Sequence, residues 1–180
     1  MDGECCFGEY LRMKKILLLS DTHGYLDDAI LTHVANADEV WHAGDIGTIE
    51  LTDRIARLKP LRAVYGNIDG HILRSAFPLD LFFNCEGLKV FITHIGGYPT
   101  RYSKGIKEKL VMHRPDLFIC GHSHILKVIR DQQLGLLHIN PGAAGVHGFH
   151  KMRTMIRFDV NKGKMENVEV IELGLRGSLA

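Results

Sequence analysis

Short apolar runs that each end in a small polar block are the strongest constraint on this chain. Lys15–Ser20 is continuously apolar and leads into Ser20-Asp21-Thr22-His23. Glu39–His42 leads into Ala43-Gly44-Asp45, and Leu61–Tyr65 into Gly66-Asn67-Ile68-Asp69. Thr93-His94 closes Lys89–Thr93, and Gly121-His122-Ser123-His124 follows Leu117–Cys120. Apolar runs of this length read as strands covered on both faces. In open α/β sheets, sites form beyond the carboxyl ends of strands. Five strand ends therefore deliver oxygen or nitrogen donors to one edge.

The segments between these strands set the fold class. Asp27–Ala35 reads as a helix with Ile30, Val34 and Leu31 inward. Thr48–Leu58 reads as a second, with Ile49, Ile55 and Leu58 on one face and Pro60 as its stop. This β-α-β-α-β opening argues for a parallel sheet with right-handed crossovers. The second half differs. Leu81–Asn84 and Lys89–Thr93 flank a Glu86-Gly87 turn. Ser103–Arg114 is a helix with Ile106, Leu110 and Val111 inward, ended before Pro115. Lys127–Asp131, Leu136–Asn140, Met155–Val160 and Val168–Glu172 read as strands, with a turn at Asn161-Lys162-Gly163-Lys164. The expectation is an α/β fold, a two-sheet sandwich flanked by helices. A chain of 180 residues fits one domain, 13–180, preceded by an extension over residues 1–12.

Composition excludes several classes. The formal net charge of +1 lacks the basic excess that phosphate neutralisation demands of most nucleic-acid binders. No stretch reaches the roughly 20 apolar residues of a membrane-spanning helix, and no signal-peptide pattern opens the chain. Cytoplasmic residence is the default expectation. Cys5, Cys6, Cys85 and Cys120 lack a Cys-x-x-Cys spacing and read as reduced thiols, with Cys85 and Cys120 buried.

The donor types suit divalent cations. Imidazole favours zinc, iron or nickel, and carboxylate and amide oxygens suit manganese or magnesium. Asp21, His23, Asp45, Asn67, His94, His122 and His124 are too many for one ion. With one Asp bridging, two ions receive four protein ligands each. Two dications against two carboxylates and a hydroxide leave positive charge for an anionic substrate.

The ordered blocks Asp-x-His, Gly-Asp, Gly-Asn-x-Asp, a lone His and Gly-His-x-His resemble the calcineurin-like metallophosphoesterase family, in particular its small bacterial and archaeal phosphodiesterase branch. Asn140-Pro141-Gly142 resembles that branch too. The resemblance implies α-β-β-α layers, and two divalent cations: manganese first, with iron, zinc or nickel as alternatives. It implies one ion on Asp21, His23 and His124, the other on Asn67, His94 and His122, and Asp45 as the bridge. Asp45, Asn67 and His94 then carry catalysis. A metal-bridging hydroxide would cleave a phosphodiester, or a monoester, in a small substrate.

Two departures stand out. Many members have a His after the Asn of the third block; here it is Ile68, so a general acid is missing. Asp69 would orient that His, and is free instead to accept a hydrogen bond from a ligand imidazole. After His94 the run is Ile95-Gly96-Gly97. His71, His147 and His150 could line the cleft as substrate-binding residues. His42, His33, His113 and His138 read as core or surface residues. The 140–145 loop could offer amides to phosphate or be a plain turn. Arg101, Lys104, Lys107 and Lys109 read as a solvated helix face. The alternative function is an inactive scaffold of the same fold, as in the retromer subunit; a nuclease is disfavoured by length and charge. A homo-oligomer is compatible with the sequence.

Overall fold

The alternation along the first strand decides the architecture. In the computed structural model, which describes residues 13–177, β1 spans Lys14–Leu19. Ile16 and Leu18 point to one face and Leu17 and Leu19 to the other, as period-two geometry requires. All four are buried. A strand greasy on both sides must be covered on both sides. Here one cover is a second sheet and the other is a layer of helices. The Met1–Arg12 extension lies outside the described residues, with Cys5 and Cys6.

The elements follow in order: α1 (Asp28–Ala35), β2 (Glu39–His42), α2 (Ile49–Ala56), β3 (Leu61–Ala63), α3 (His71–Ala76), β4 (Asp80–Cys85) and β5 (Leu88–Thr93). After them come β6 (Gly97–Tyr98), β7 (Arg101–Tyr102), α4 (Ile106–His113), β8 (Leu117–Ile119), β9 (Leu126–Asp131), β10 (Leu136–Pro141), β11 (Met152–Asn161) and β12 (Lys164–Leu175). The first sheet has the order β12-β11-β1-β2-β3. Its β1, β2 and β3 are parallel, and β11 and β12 join antiparallel. The second has the order β4-β5-β8-β10-β9, with β5, β8 and β10 parallel between antiparallel edges. Trp41, Val90, Ile92, Ile119, Ile156 and Phe158 fill the space between the sheets. Helices α1, α2 and α3 cover the outer face of the first sheet through Ile30, Val34, Leu51, Ile55 and Leu73. Helix α4 covers the second through Ile106 and Leu110 on Phe91 and Phe118. This is the expected α-β-β-α sandwich.

Local chemistry explains the boundaries. Asp27 and Thr48 cap α1 and α2 by accepting amides of Ile30 and Leu51. The hairpin turns at Glu86-Gly87 and Lys162-Gly163 have positive φ at both central positions, the geometry that matches strand twist. Helix α4 starts only at Ile106, because Gly105 is left-handed. Arg101 and Lys104 therefore lie outside it, and Lys109 is ion-paired with Asp80. Two expected inward residues face solvent: Leu58 lies beyond the end of α2, and Val111 sits on the outer side of α4. Leu51 shares the inward face of α2 with Ile55 instead. Helix α3 and the β6-β7 ribbon were not expected; six and two residues are too short to display periodicity.

One buried charge links the sheet edge to the core. Glu39 accepts from Trp41 Nε1 at 2.8 Å and also holds Lys14 and Arg62. Burial works against its charge, but hydrogen bonds from Lys14, Trp41 and Arg62 outweigh it and hold the carboxyl below its usual range. A depressed carboxylate stabilises the fold above its unfolded pKa of about 4.3, and that stability is lost as pH falls through the folded value. Glu39→Gln is expected to cost about 1–3 kcal/mol at pH 7. It should also flatten the acid limb of stability, both read by urea unfolding at stepped pH.

Candidate metal centre

All five polar blocks meet at one edge of the sandwich. Asp21 and His23 follow β1, Asp45 follows β2, and Asn67 follows β3; His94 follows β5, and His122 and His124 follow β8. Asp21, His23 and His124 bring one donor atom each within 4.8 Å of one another, and Asp45, His94 and His122 do the same. Asn67 Oδ1 is 3.1 Å from His94 Nε2, which adds it to the second group. Asp45 faces both: Oδ1 lies 3.2 Å from His94 Nε2, and Oδ2 lies 3.8 Å from His23 Nε2. The seven expected residues are therefore together.

The backbone carries strain here. Asp21, His23, Asp45, His122 and His124 all have φ between 47° and 67°. Side chains rarely adopt this left-handed conformation, and it clusters at functional sites. Two glycines make room. A Cβ on Gly66 would lie 2.0 Å from Asp45 Oδ1, and one on Gly44, at φ 93°, would lie 2.6 Å from His94 Nδ1.

Asp69 holds the loops in place. Its buried carboxylate accepts the amides of Ile46 at 3.1 Å, Gly47 at 2.8 Å and Gly66 at 2.7 Å. It thus ties the Asp45 loop to the Asn67 loop, and does not meet a ligand imidazole as expected. Arg74 grips the same loop through the carbonyls of Asp69 and Asn67.

The imidazole tautomers can be followed atom by atom. Gly145 O can only accept, so His150 Nε2, 3.0 Å away, donates. Burial lowers the His150 pKa, which favours the neutral ring with a bare Nδ1. That atom lies 3.3 Å from His124 Nδ1, which then donates. In the neutral ring this turns the Nε2 lone pair of His124 inward, 3.1 Å from Asp21 Oδ1 and 3.5 Å from His23 Nε2. Asp21 Oδ1 is buried without a hydrogen-bond donor, although His124 Nε2 is so close. Lone pairs facing one another in this way call for a cation. In the second group, His94 Nδ1 donates to Ala43 O at 2.8 Å and Nε2 faces Asn67 and Asp45. Burial opposes a charge on His94, but the hydrogen bond to Asp45 and the nearby carboxylates raise its pKa overall. Asp45 is lowered by the same contact, against its burial. Burial lowers His23 despite Asp45 and Asp21. The two clusters of carboxylate and imidazole donors thus fit divalent cations in charge and donor type.

The remaining histidines divide. The exposed ring of His147 sits 5.0 Å from His23, at the mouth. His150, partly buried, stands behind His124, and a Cβ on Gly148 would lie 2.2 Å from His124 Nδ1 at that contact. His71 opens α3 and is exposed, making no hydrogen bond, ion pair or ring contact with the seven. His42 is fully buried; its Nε2 lies 2.8 Å from Thr22 Oγ1, and burial pushes its pKa down to about 4. His138 is buried under Gly97 and Cys120, and His113 stacks on Phe82. In the 140–145 loop, the amides of Gly142, Ala144 and Gly145 already donate to Asn140, Ser20 and Asp21, which makes the loop structural. The roles of Asp69 and His150 were not legible, since only folding reveals which carbonyls and amides they meet.

The fold and site define an α/β sandwich with paired carboxylate–imidazole clusters, candidate metal groups, at its strand ends. The chain belongs to the calcineurin-like phosphoesterase superfamily, whose domain model matches residues 13–163. A probable metallophosphoesterase of Methanothermobacter thermautotrophicus is 25% identical over 165 residues, covering 87% of this chain and 91% of that one. Another, from Mycoplasma pneumoniae, is 28% identical over 163 residues, covering 87% and 96%. Among solved structures, wild-type Vps29 of Entamoeba histolytica complexed with Zn2+ superposes with a TM-score of 0.68 at 15% identity, covering 91% of this chain and 99% of that one. That likeness is one of fold. No described helix is long and apolar enough to cross a membrane.

Removing the support behind His124 tests the tautomer chain. His150→Ala should weaken Mn2+ uptake about 10–100-fold by calorimetric titration, and His150→Asn should recover part of the loss. Unchanged uptake in His150→Ala would contradict it.

Proposed function

We propose that this protein is a two-metal phosphodiesterase acting on a small phosphate ester. The observation that carries the reading is Asp45, whose two carboxylate oxygens face separate imidazole clusters. Asp21, His23 and His124 would hold one cation, and Asn67, His94 and His122 the other, with Asp45 between. Manganese suits this mixed oxygen and nitrogen set, and iron, zinc or nickel are compatible. When bound, such a pair supplies a nucleophilic oxygen at neutral pH and neutralises charge building on the phosphate.

The chain's own residues do the rest. Asp69 and Arg74 hold the bridging and amide loops at fixed separation. His150 contacts the far ring nitrogen of His124 and so holds its ring in orientation. The backbone amide of Ile68 donates to Asp45 at 3.1 Å, but its side chain cannot protonate a leaving group. His147 is exposed at the mouth, where it can meet the substrate.

Purified protein with Mn2+ should hydrolyse bis-p-nitrophenyl phosphate. Asp45→Asn should remove at least ~10³-fold of that rate, consistent with the loss of a preorganised charge. No metal-dependent turnover by the wild type would favour the second reading, a scaffold of this fold. That reading draws on Ile68 and on the structural likeness to a vacuolar protein sorting protein. The missing acid sets a further expectation. Esters with an aryl leaving group should turn over faster than alkyl ones by about 10²–10⁴-fold. Equal rates for the two leaving groups would point to an acid elsewhere in the site.

A further inference from the structure

A cavity of about 170 Å³ opens beside the metal centre and shares His122 with it. Its walls include Ile95, Tyr98, Ile125, Lys127 and Asn140. Ile95 directly follows the ligand His94, and Ile125 directly follows His124. The loops that present the imidazoles therefore also present two large apolar side chains, which are 43% and 57% exposed. Tyr98 adds an aromatic face, with the Lys127 ammonium 3.9 Å from its ring centroid.

Much of the polar part of this wall is already spent. The Asn140 amide donates to Gly121 O at 2.7 Å and to Ser123 Oγ at 3.1 Å, and its oxygen accepts from Gly142. Ser123 Oγ also accepts the Ile125 amide. His138 Nε2 donates to Gly97 O, and its unpartnered Nδ1 is closed to solvent. A hydroxyl-rich group entering here would surrender hydrogen bonds to water and recover few. A flat apolar group would cover isoleucine surface now in water and pack on Tyr98.

We propose that this cavity is a subsite for an apolar, ring-bearing arm of the phosphoester substrate. The inference rests on the phosphodiesterase reading for the position of the phosphate. It concerns binding of the arm, and is separate from the leaving-group preference that follows from Ile68. It places the substrate among phosphoesters with an aryl or similarly apolar substituent, and away from those with sugar arms.

The test uses two dianions with the same head group. Phenylphosphonate and methylphosphonate are titrated calorimetrically into the Mn2+-loaded protein. Phenylphosphonate should bind about tenfold tighter or more, in line with what apolar pockets discriminate. Ile95→Ser and Ile125→Ser should pull the ratio toward one, and Ile72→Ser, on exposed α3 outside the cavity, should leave it unchanged. Equal affinities, or no binding of either, overturn the subsite. So does a ratio unmoved by the Ile95 and Ile125 substitutions. In parallel, p-nitrophenyl methyl phosphate and p-nitrophenyl phenyl phosphate are assayed as substrates. Preferential phenylphosphonate binding without any turnover would leave the subsite standing and sink the hydrolytic reading alone.

Discussion

The structure turns on a confrontation of lone pairs. Asp21 and Asp45 are held mostly out of water, with the Nε2 atoms of His124 and His94 at 3.1 and 3.2 Å from them. Such groups repel and lose hydration, so the arrangement costs free energy unless cations fill it. The rest of the sandwich supplies that cost. Two layers of aliphatic and aromatic packing fix the strands, and the strand ends leave the donors nowhere else to point. The buried Asp21 Oδ1 without a donor is the clearest sign, because proteins seldom leave such an atom unsatisfied without a purpose.

Strain and support are paired throughout the centre. Five of the seven donors sit in left-handed backbone, each a conformation that costs energy for a residue with a Cβ. Opposing this are groups outside the seven that hold their loops. Asp69 binds three amides across two loops, His150 links His124 to the Gly145 carbonyl, and Arg153 joins Asp27 to Ala144 O. The Gly145 loop is anchored in turn by its amide on Asp21 O. A donor such as His124 is therefore fixed from its own backbone, from its far ring nitrogen, and from the loop that carries that support.

What could be read from the sequence follows from how local each signal is. Strand β1 announces itself by six adjacent residues, and Glu39–His42 matches its observed strand end to end. The convergence of the seven side chains was legible because strand ends translate order along the chain into position in space. Leu58 and Val111 misled, since a helix's last turn and outer flank look periodic until the true cap is known. Helix α3 and the β6-β7 ribbon are too short to carry a period. Asp69 was read through the missing histidine beside it, whereas its partners are backbone amides, two of them more than twenty residues away. Backbone donors are identical at every position, so no residue type marks them in advance.

Ile68 and Ile95 break the expected pattern at two ligand loops, and the breaks point the same way. Each puts a large apolar side chain, half-exposed, next to a donor that faces the metal position. Ile125 does the same after His124. Apolar surface gains nothing from facing water, so its clustering at the mouth is informative. On the proposed hydrolytic reading, a site without a protonating side chain at position 68 needs a leaving group that departs unaided. A rim of isoleucines favours an apolar ester over a hydrated one. The chemical demand made by Ile68 and the binding preference offered by Ile95 and Ile125 are separate physical effects, and both select the same kind of molecule.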